Sequence, residues 1–189
     1  MIKGGIPERE LKFSKVELPQ LRERLLELEA ERMNTPSFED KWIFDRNGEL
    51  LAAGHVLRLR IDGQGALLTL KGPVGWDDET KVRDELQTRV EDADEMRAIL
   101  ENLGYRVRRH YQKMREQWRI GAVVICLDHT PIGDFAEFEG QGADKLARRC
   151  GLQPDQAEKR TYLELYEEHL KLHPELPPDM VFRERSAEK

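Results

Sequence analysis

Period-two alternation of apolar and charged positions dominates this chain. In HVLRLRID, His55, Leu57, Leu59 and Ile61 share one face, while Val56, Arg58, Arg60 and Asp62 share the other. That is the signature of a strand with one buried side. The pattern recurs in PERELKF, with Glu8, Glu10 and Lys12 opposite Arg9, Leu11 and Phe13. FEDKWIFD gives a strand around Trp42–Phe44. ALLTLKG, with Lys71 on the Thr69 face, closes a hairpin with HVLRLRID through Gly63–Gly65. KVRDELQTRV sets Arg83, Glu85, Gln87 and Arg89 against Val82, Leu86 and Val90. YQKMREQWRI and AVVICLD form a second hairpin around Gly121, and GDFAEFEG is a short last strand.

Four segments carry period 3.6 instead. Residues 17–33 place Leu18, Leu21, Leu25 and Leu28 on one helical stripe. Residues 92–104 open on capping aspartates and end in glycine. Residues 142–152 and 154–172 read as two further helices. Residues 46–55 and 73–80 read as loops, and the charged, proline-rich 173–189 as a tail lying over the domain or partly disordered. Strands in hairpins with helices between and after them predict an α+β fold.

The polar faces are unusual for an open sheet. They concentrate arginine, and their carboxylates come in i, i+2 pairs, Glu8/Glu10 and Glu137/Glu139. Such residues lie about 6.5–7 Å apart on one face, so like charges repel unless a cation or base sits between them. Two solutions exist: an outer face in water, or a closed barrel with these faces inward and helices over the apolar outside. The arginine enrichment favours the barrel. A dry interior of mixed charges would be costly, whereas a wet tunnel holding metal and phosphate removes much of that cost. Arginine matches phosphate oxygens bidentately, and Mg²⁺ takes a few carboxylates together with phosphate oxygens.

Composition narrows the partners. The 189 residues suit one domain of ordinary size. Charged residues make up 36%, yet the net charge is only −6, without the basic excess of a nucleic-acid binder. No apolar run is long enough for a membrane span or follows the N-terminus as a signal peptide would. Cys126 and Cys150 lack metal-ligand spacing and read as reduced thiols of a cytoplasmic protein.

The motifs ERELK (Glu8-x-Glu10-x-Lys12), FEDKWIFD, HVLRLR, LTLKGP, KVRDELQ, KMREQW, VICLD, GDFAEFEG and RTYLELY, in this order, resemble the CYTH superfamily of triphosphate tunnel metalloenzymes. The resemblance implies a closed eight-stranded antiparallel β-barrel over residues 1–172, open at both ends, with helices outside. It implies a triphosphate-bearing small molecule as substrate (tripolyphosphate, ATP or thiamine triphosphate) and Mg²⁺ or Mn²⁺, as two ions. Glu8, Glu10, Asp128, Glu137 and Glu139 match the family's metal-binding carboxylates. Lys12, Arg58, Arg60, Lys71 and Arg115 match its phosphate-gripping bases. Arg83, Glu85 and Lys113 fall where it places further tunnel residues, with Glu85 counted among the metal-binding acids and Arg83 and Lys113 among the phosphate-binding bases. Glu8, Glu10, Lys12, Glu137 and Glu139 are the catalytic set. Lys159 or Arg160 is a further option. The departures are Gln87 for an acid, Trp42 for a tyrosine and Thr161 for a serine.

Three functions remain open: triphosphate hydrolysis, favoured because no base pocket can be pointed to; a class IV adenylyl cyclase making cyclic AMP and pyrophosphate; and a non-catalytic polyphosphate or nucleotide binder. Trp42 and Trp118 read as core, the latter under a helix outside the tunnel. Trp76 is the best stacking residue. His55, His110 and His129 read as surface groups near strand ends. No nucleic acid or membrane partner is expected, and a homodimer is left open.

Overall fold

The computed structural model describes residues 4–183. The strands are β1 (Ile6–Ser14), β2 (Glu31–Arg32), β3 (Ser37–Asp45), β4 (Val56–Asp62), β5 (Gly65–Lys71), β6 (Gly75–Asp77), β7 (Thr80–Val90), β8 (Arg106–Ile120), β9 (Val123–Thr130) and β10 (Gly133–Glu139). The helices are α1 (Leu18–Glu27), α2 (Glu49–Ala52), α3 (Ala93–Asn102), α4 (Ala143–Arg149) and α5 (Tyr162–Leu172).

Eight strands pair antiparallel in the order β1-β10-β9-β8-β3-β4-β5-β7, and β7 pairs back to β1. The sheet therefore closes into a barrel with helices outside, and β2 and β6 are short additions on β8 and β7. Closure rests on a register in which Glu8 faces Arg83 and Glu10 faces Lys81.

Two apolar clusters lie outside the barrel wall. Leu11, Phe13, Trp118, Ile125 and Phe138 pack against Leu21 and Leu25 of α1 and Leu146 of α4. Phe13 and Phe138 meet edge to face at 5.8 Å, and full burial of such a side chain contributes about 1.5–3 kcal/mol. Phe44, Leu59 and Ala66 pack beneath Leu100 of α3. A third cluster lies at one end of the barrel, where inward-facing Tyr111 and Phe135 meet Tyr162 and Tyr166 of α5 and Met180. The α5 segment thus packs across part of that end.

Several boundaries differ from the sequence reading. The first helix stops at Glu27, not Met33, because Glu29 enters the left-handed region at φ 56°. Ala30 N–H then bonds to Leu25 C=O and Glu29 N–H to Leu26 C=O, a Schellman stop made without glycine. The last helix starts at Tyr162, where Thr161 and Glu164 form a reciprocal capping box; Pro154–Gln156 is a separate 3-10 turn. The two predicted loops contain α2 and β6. β8 begins at Arg106, five residues before the expected strand.

The tail is only in part a separate feature. Met180 is fully buried and bridges Tyr111. Gln112 N–H donates to Met180 C=O at 2.9 Å, and Met180 N–H to His110 C=O at 3.1 Å. Residues 184–189 lie outside the described part.

Candidate active site

Alternation along each strand carries its charged face into the barrel. The resulting cavity has a volume of ≈ 780 Å³. Eleven lysines and arginines line it against seven aspartates and glutamates, so the wall is net basic although the chain is net acidic. An excess of fixed positive charge in an enclosed site selects a polyanion.

The expected acids and bases converge there. Glu8, Glu10, Lys12, Arg58, Arg60, Lys71, Arg83, Lys113, Arg115, Glu137 and Glu139 all line the cavity. Lys71 contacts Glu8 at 2.9 Å and also pairs with Glu85. Lys81 bonds Glu10 at 3.0 Å. Arg115 pairs with Glu137 and lies 3.6 Å from Glu139. Arg58 contacts Tyr111 and, at 3.4 Å, Thr69, while its Nε is buried with no hydrogen-bond partner. That leaves a guanidinium with donor capacity for a ligand.

Three of the expected residues stand differently from their neighbours. Asp128 is fully buried and does not line the cavity. Its Oδ1 accepts from Arg115 Nε at 2.7 Å; its Oδ2 accepts from Arg115 Nη2 at 2.6 Å, Lys113 Nζ at 2.7 Å and the Tyr162 hydroxyl at 2.7 Å. Asp128 thus sits behind the two bases and aims them. Glu85 likewise sits behind Lys71. Arg83 lines the cavity but donates to the carbonyls of Gly72 and, at 3.0 Å, Gly54, which ties together the two loops flanking one mouth.

Sequence reasoning missed Glu39, Lys41, Lys81, Tyr111 and Tyr162. Glu39 and Lys41 pair at 2.6 Å, both almost fully buried. Their i, i+2 spacing in FEDKWIFD repeats that of Glu10 and Lys12 and was the available signal. Lys81 has the same relation to Arg83. Tyr162 is on a helix, where strand alternation cannot place it.

Trp118 is buried beneath α1 and α4. His110 is not a surface group: its ring stacks on Trp42 at 3.9 Å, half-buried on the outer wall. Trp76 is exposed and does not line the cavity. Neither do Lys159, paired with Glu79 at 2.6 Å, and Arg160, paired with Glu158 and Glu168.

Burial and crowding shift the ionisable groups. Burial pushes Glu139 up to about 7 although Arg115 opposes it, and the facing Glu137, Glu8 and Glu10 add to the rise. Burial would also raise Glu137, but Lys113, Arg115 and Lys12 hold it well below the usual carboxylate range. Burial and the facing Glu85 raise Glu8, against the pull of Lys71. Burial lowers Lys12, and Glu137 and Glu10 only partly compensate.

These observations bear on a metal. Among the described residues, no three acidic, histidine or cysteine side chains stand already arranged around a metal position; Glu8, Glu10, Glu137 and Glu139 are each turned towards a base. The donor set nevertheless fits a hard divalent cation. Glu10 and Glu139 are direct cross-strand partners, an arrangement of like charges that destabilises a sheet, and Glu8 and Glu137 share their cavity. Carboxylate oxygens suit Mg²⁺ or Mn²⁺.

A tunnel of alternating strands lined by both signs defines the class, and the comparisons agree. The CYTH domain model matches residues 7–150. The chain belongs to the CYTH domain family, whose triphosphate tunnel architecture implies dependence on divalent metal. The adenylate cyclase CyaB of Aeromonas hydrophila is 34% identical over 102 residues, 47% of this chain and 53% of that one; this chain therefore matches about half the length of that relative. A solved structure from Vibrio parahaemolyticus, named as a candidate adenylate cyclase, is 26% identical with a TM-score of 0.77, covering 86% of this chain and 99% of that one. HpAC1 from Hippeastrum, named as a candidate adenylyl cyclase with a dominant triphosphatase activity, shares the fold at 12% identity with a TM-score of 0.64, covering 86% of this chain and 96% of that one. Among the described residues no helix is long and apolar enough to cross a membrane.

Proposed function

We propose that the protein is a metal-dependent triphosphatase acting on a triphosphate-bearing small molecule. One observation carries the reading: an enclosed, net basic cavity in which Lys12, Arg58, Arg60, Lys71, Lys113 and Arg115 face Glu8, Glu10, Glu137 and Glu139. A pure anion binder gains nothing from four acids facing its ligand.

The bases grip and orient the chain of phosphates. Arg58 and Arg60 present forked donors, which match phosphate oxygens. Lys113 and Arg115 are held in place from behind by Asp128. Glu8, Glu10, Glu137 and Glu139 would hold Mg²⁺ or Mn²⁺, as two ions, which supplies the charge that offsets the phosphate oxygens and polarises the attacking water. Glu39 pairs with Lys41 beside the site, at 2.6 Å. Catalysis of this kind is mostly positioning and electrostatic stabilisation.

A second reading is a class IV adenylyl cyclase. It is supported by the names of the Aeromonas and Vibrio relatives, and by a cavity of ≈ 780 Å³, within the range that holds a whole drug-sized ligand. The dominant triphosphatase activity named for HpAC1 supports the first reading.

Product analysis with Mg²⁺ or Mn²⁺ separates them. Hydrolysis gives phosphate from tripolyphosphate, or ADP and phosphate from ATP; cyclisation gives cyclic AMP and pyrophosphate. Glu137→Gln is expected to abolish turnover while tripolyphosphate still binds. Unchanged turnover in that variant would remove the carboxylates from the mechanism.

A further inference from the structure

Tyr162 stands at an unusual junction. It lies in the first turn of α5, beyond the residues matched by the family model, yet its side chain enters the end of the barrel. Its ring centroid is 4.8 Å from Lys12 Nζ and 4.9 Å from Lys113 Nζ. Its hydroxyl donates to Asp128 Oδ2 at 2.7 Å. Phe135 packs on it edge to face at 4.9 Å, and only 7% of the residue is exposed.

Each contact has a physical consequence. An ammonium within about 6 Å of an aromatic centroid is attracted to the ring, more strongly when desolvated. Here one ring serves two ammoniums that repel each other across the same cavity. Placing it beside both offsets part of that repulsion and fixes where each ammonium stands. The hydroxyl is the fourth donor to a carboxylate that already holds Lys113 and Arg115. Removing it unbalances Oδ2, the oxygen that Lys113 and Arg115 Nη2 share, and frees both bases to shift. Phe135 in turn locks the ring plane.

We propose that Tyr162 is a positioning residue for the phosphate-binding bases: it sets the spacing of Lys12 and Lys113 through its ring and the orientation of Lys113 and Arg115 through Asp128. The C-terminal helix is then part of the site. This rests on reading the cavity as a triphosphate site.

The test compares Tyr162→Phe, Tyr162→Leu and Tyr166→Phe by thermal denaturation, by calorimetric binding of tripolyphosphate without metal, and by kcat and KM with metal. Tyr166 is the control. It is buried on the same helix and donates to Pro177 C=O at 2.6 Å, but it does not line the cavity. Affinity for tripolyphosphate is expected to fall in graded order: wild type, then Tyr162→Phe, then Tyr162→Leu, the last by about tenfold or more. KM should rise in parallel, and Tyr166→Phe should lose stability with unchanged affinity. The proposal is overturned if folded Tyr162→Phe binds as wild type does, or if Tyr166→Phe weakens binding equally. Should Tyr162→Leu not fold, Tyr162→Phe alone decides. A wild-type protein that binds no tripolyphosphate would overturn the triphosphate reading and this proposal together; normal wild-type binding with no grading overturns only this one.

Discussion

Glu39 shows how single residues support the interior. Burial alone would raise its carboxyl, but Lys41, Arg115 and Lys113 together hold it well below its ordinary value of 4.5. The stability that this pairing contributes is present above about pH 4.5 and is lost as pH falls below it, because the folded state must then accept a proton it resists. Denaturation followed from pH 7 to pH 3 should show a steep loss on the acid side, and Glu39→Gln should flatten that slope while lowering stability at pH 7. Glu139 has the opposite character. It faces Glu10 across the strand pair, and its nearest base lies 3.6 Å away. Glu139→Gln is expected to stabilise the metal-free protein at pH 8 by about 0.5–1 kcal/mol and to abolish turnover. A metal-free variant no more stable than wild type in thermal denaturation would argue against like-charge strain at this pair.

At the scale of elements, three helices end alike. α3 and α4 stop at Gly104 (φ 90°) and Gly151 (φ 83°), while α1 stops at Glu29 (φ 56°). Tyr105 N–H returns to Leu100 C=O, and Leu152 N–H to Ala147 C=O, as Ala30 N–H does to Leu25 C=O. The stop at Gly104 was legible in the sequence, whereas the fourth segment was read through Gly151 to residue 152; the glutamate stop was not legible, because a left-handed backbone is not what glutamate prefers. Glu29→Gly should therefore raise stability by about 0.5–1 kcal/mol in denaturant titration, relief of left-handed strain exceeding the added freedom of the unfolded chain. A lower midpoint would show that Glu29 carries some other contact. Gly140, just after Glu139, is a different case. A Cβ there would lie 2.5 Å from Ala122 C=O, so the end of β10 can approach the β8–β9 hairpin only without a side chain.

For the whole molecule, the hydrophobic cores lie outside and at one end of the barrel, and its interior is ionic. Stability and chemistry are thereby placed on opposite faces of the same strands. The C-terminal segment joins them. The first half of β8 extends beyond the end of β9, and the Met180 segment bonds to that stretch at His110 and Gln112. Met180→Ala should cost about 2–5 kcal/mol, as expected for a fully buried methionine. It should also weaken catalysis, since Tyr111 and Tyr162 belong to the same cluster. Loss of stability with untouched kinetics in the folded fraction would separate this segment from the site.

The eight barrel strands, the face each side chain takes and the company of acids with bases were legible in the sequence, because alternation is a local property of an extended chain; the short β2 and β6 and the first five residues of β8 were not. The sequence also carried the family's motifs, and with them the expectation of a tunnel. Tertiary structure alone decided how the sheet closes, through pairing of residues 6–10 with 81–85, a contact that no local pattern encodes. It decided that Asp128 supports the bases from behind, that Arg83 binds backbone carbonyls, and that a helical tyrosine enters the barrel. These depend on register and on distant segments meeting in space, where the energies of burial and charge pairing are settled between residues far apart in the chain.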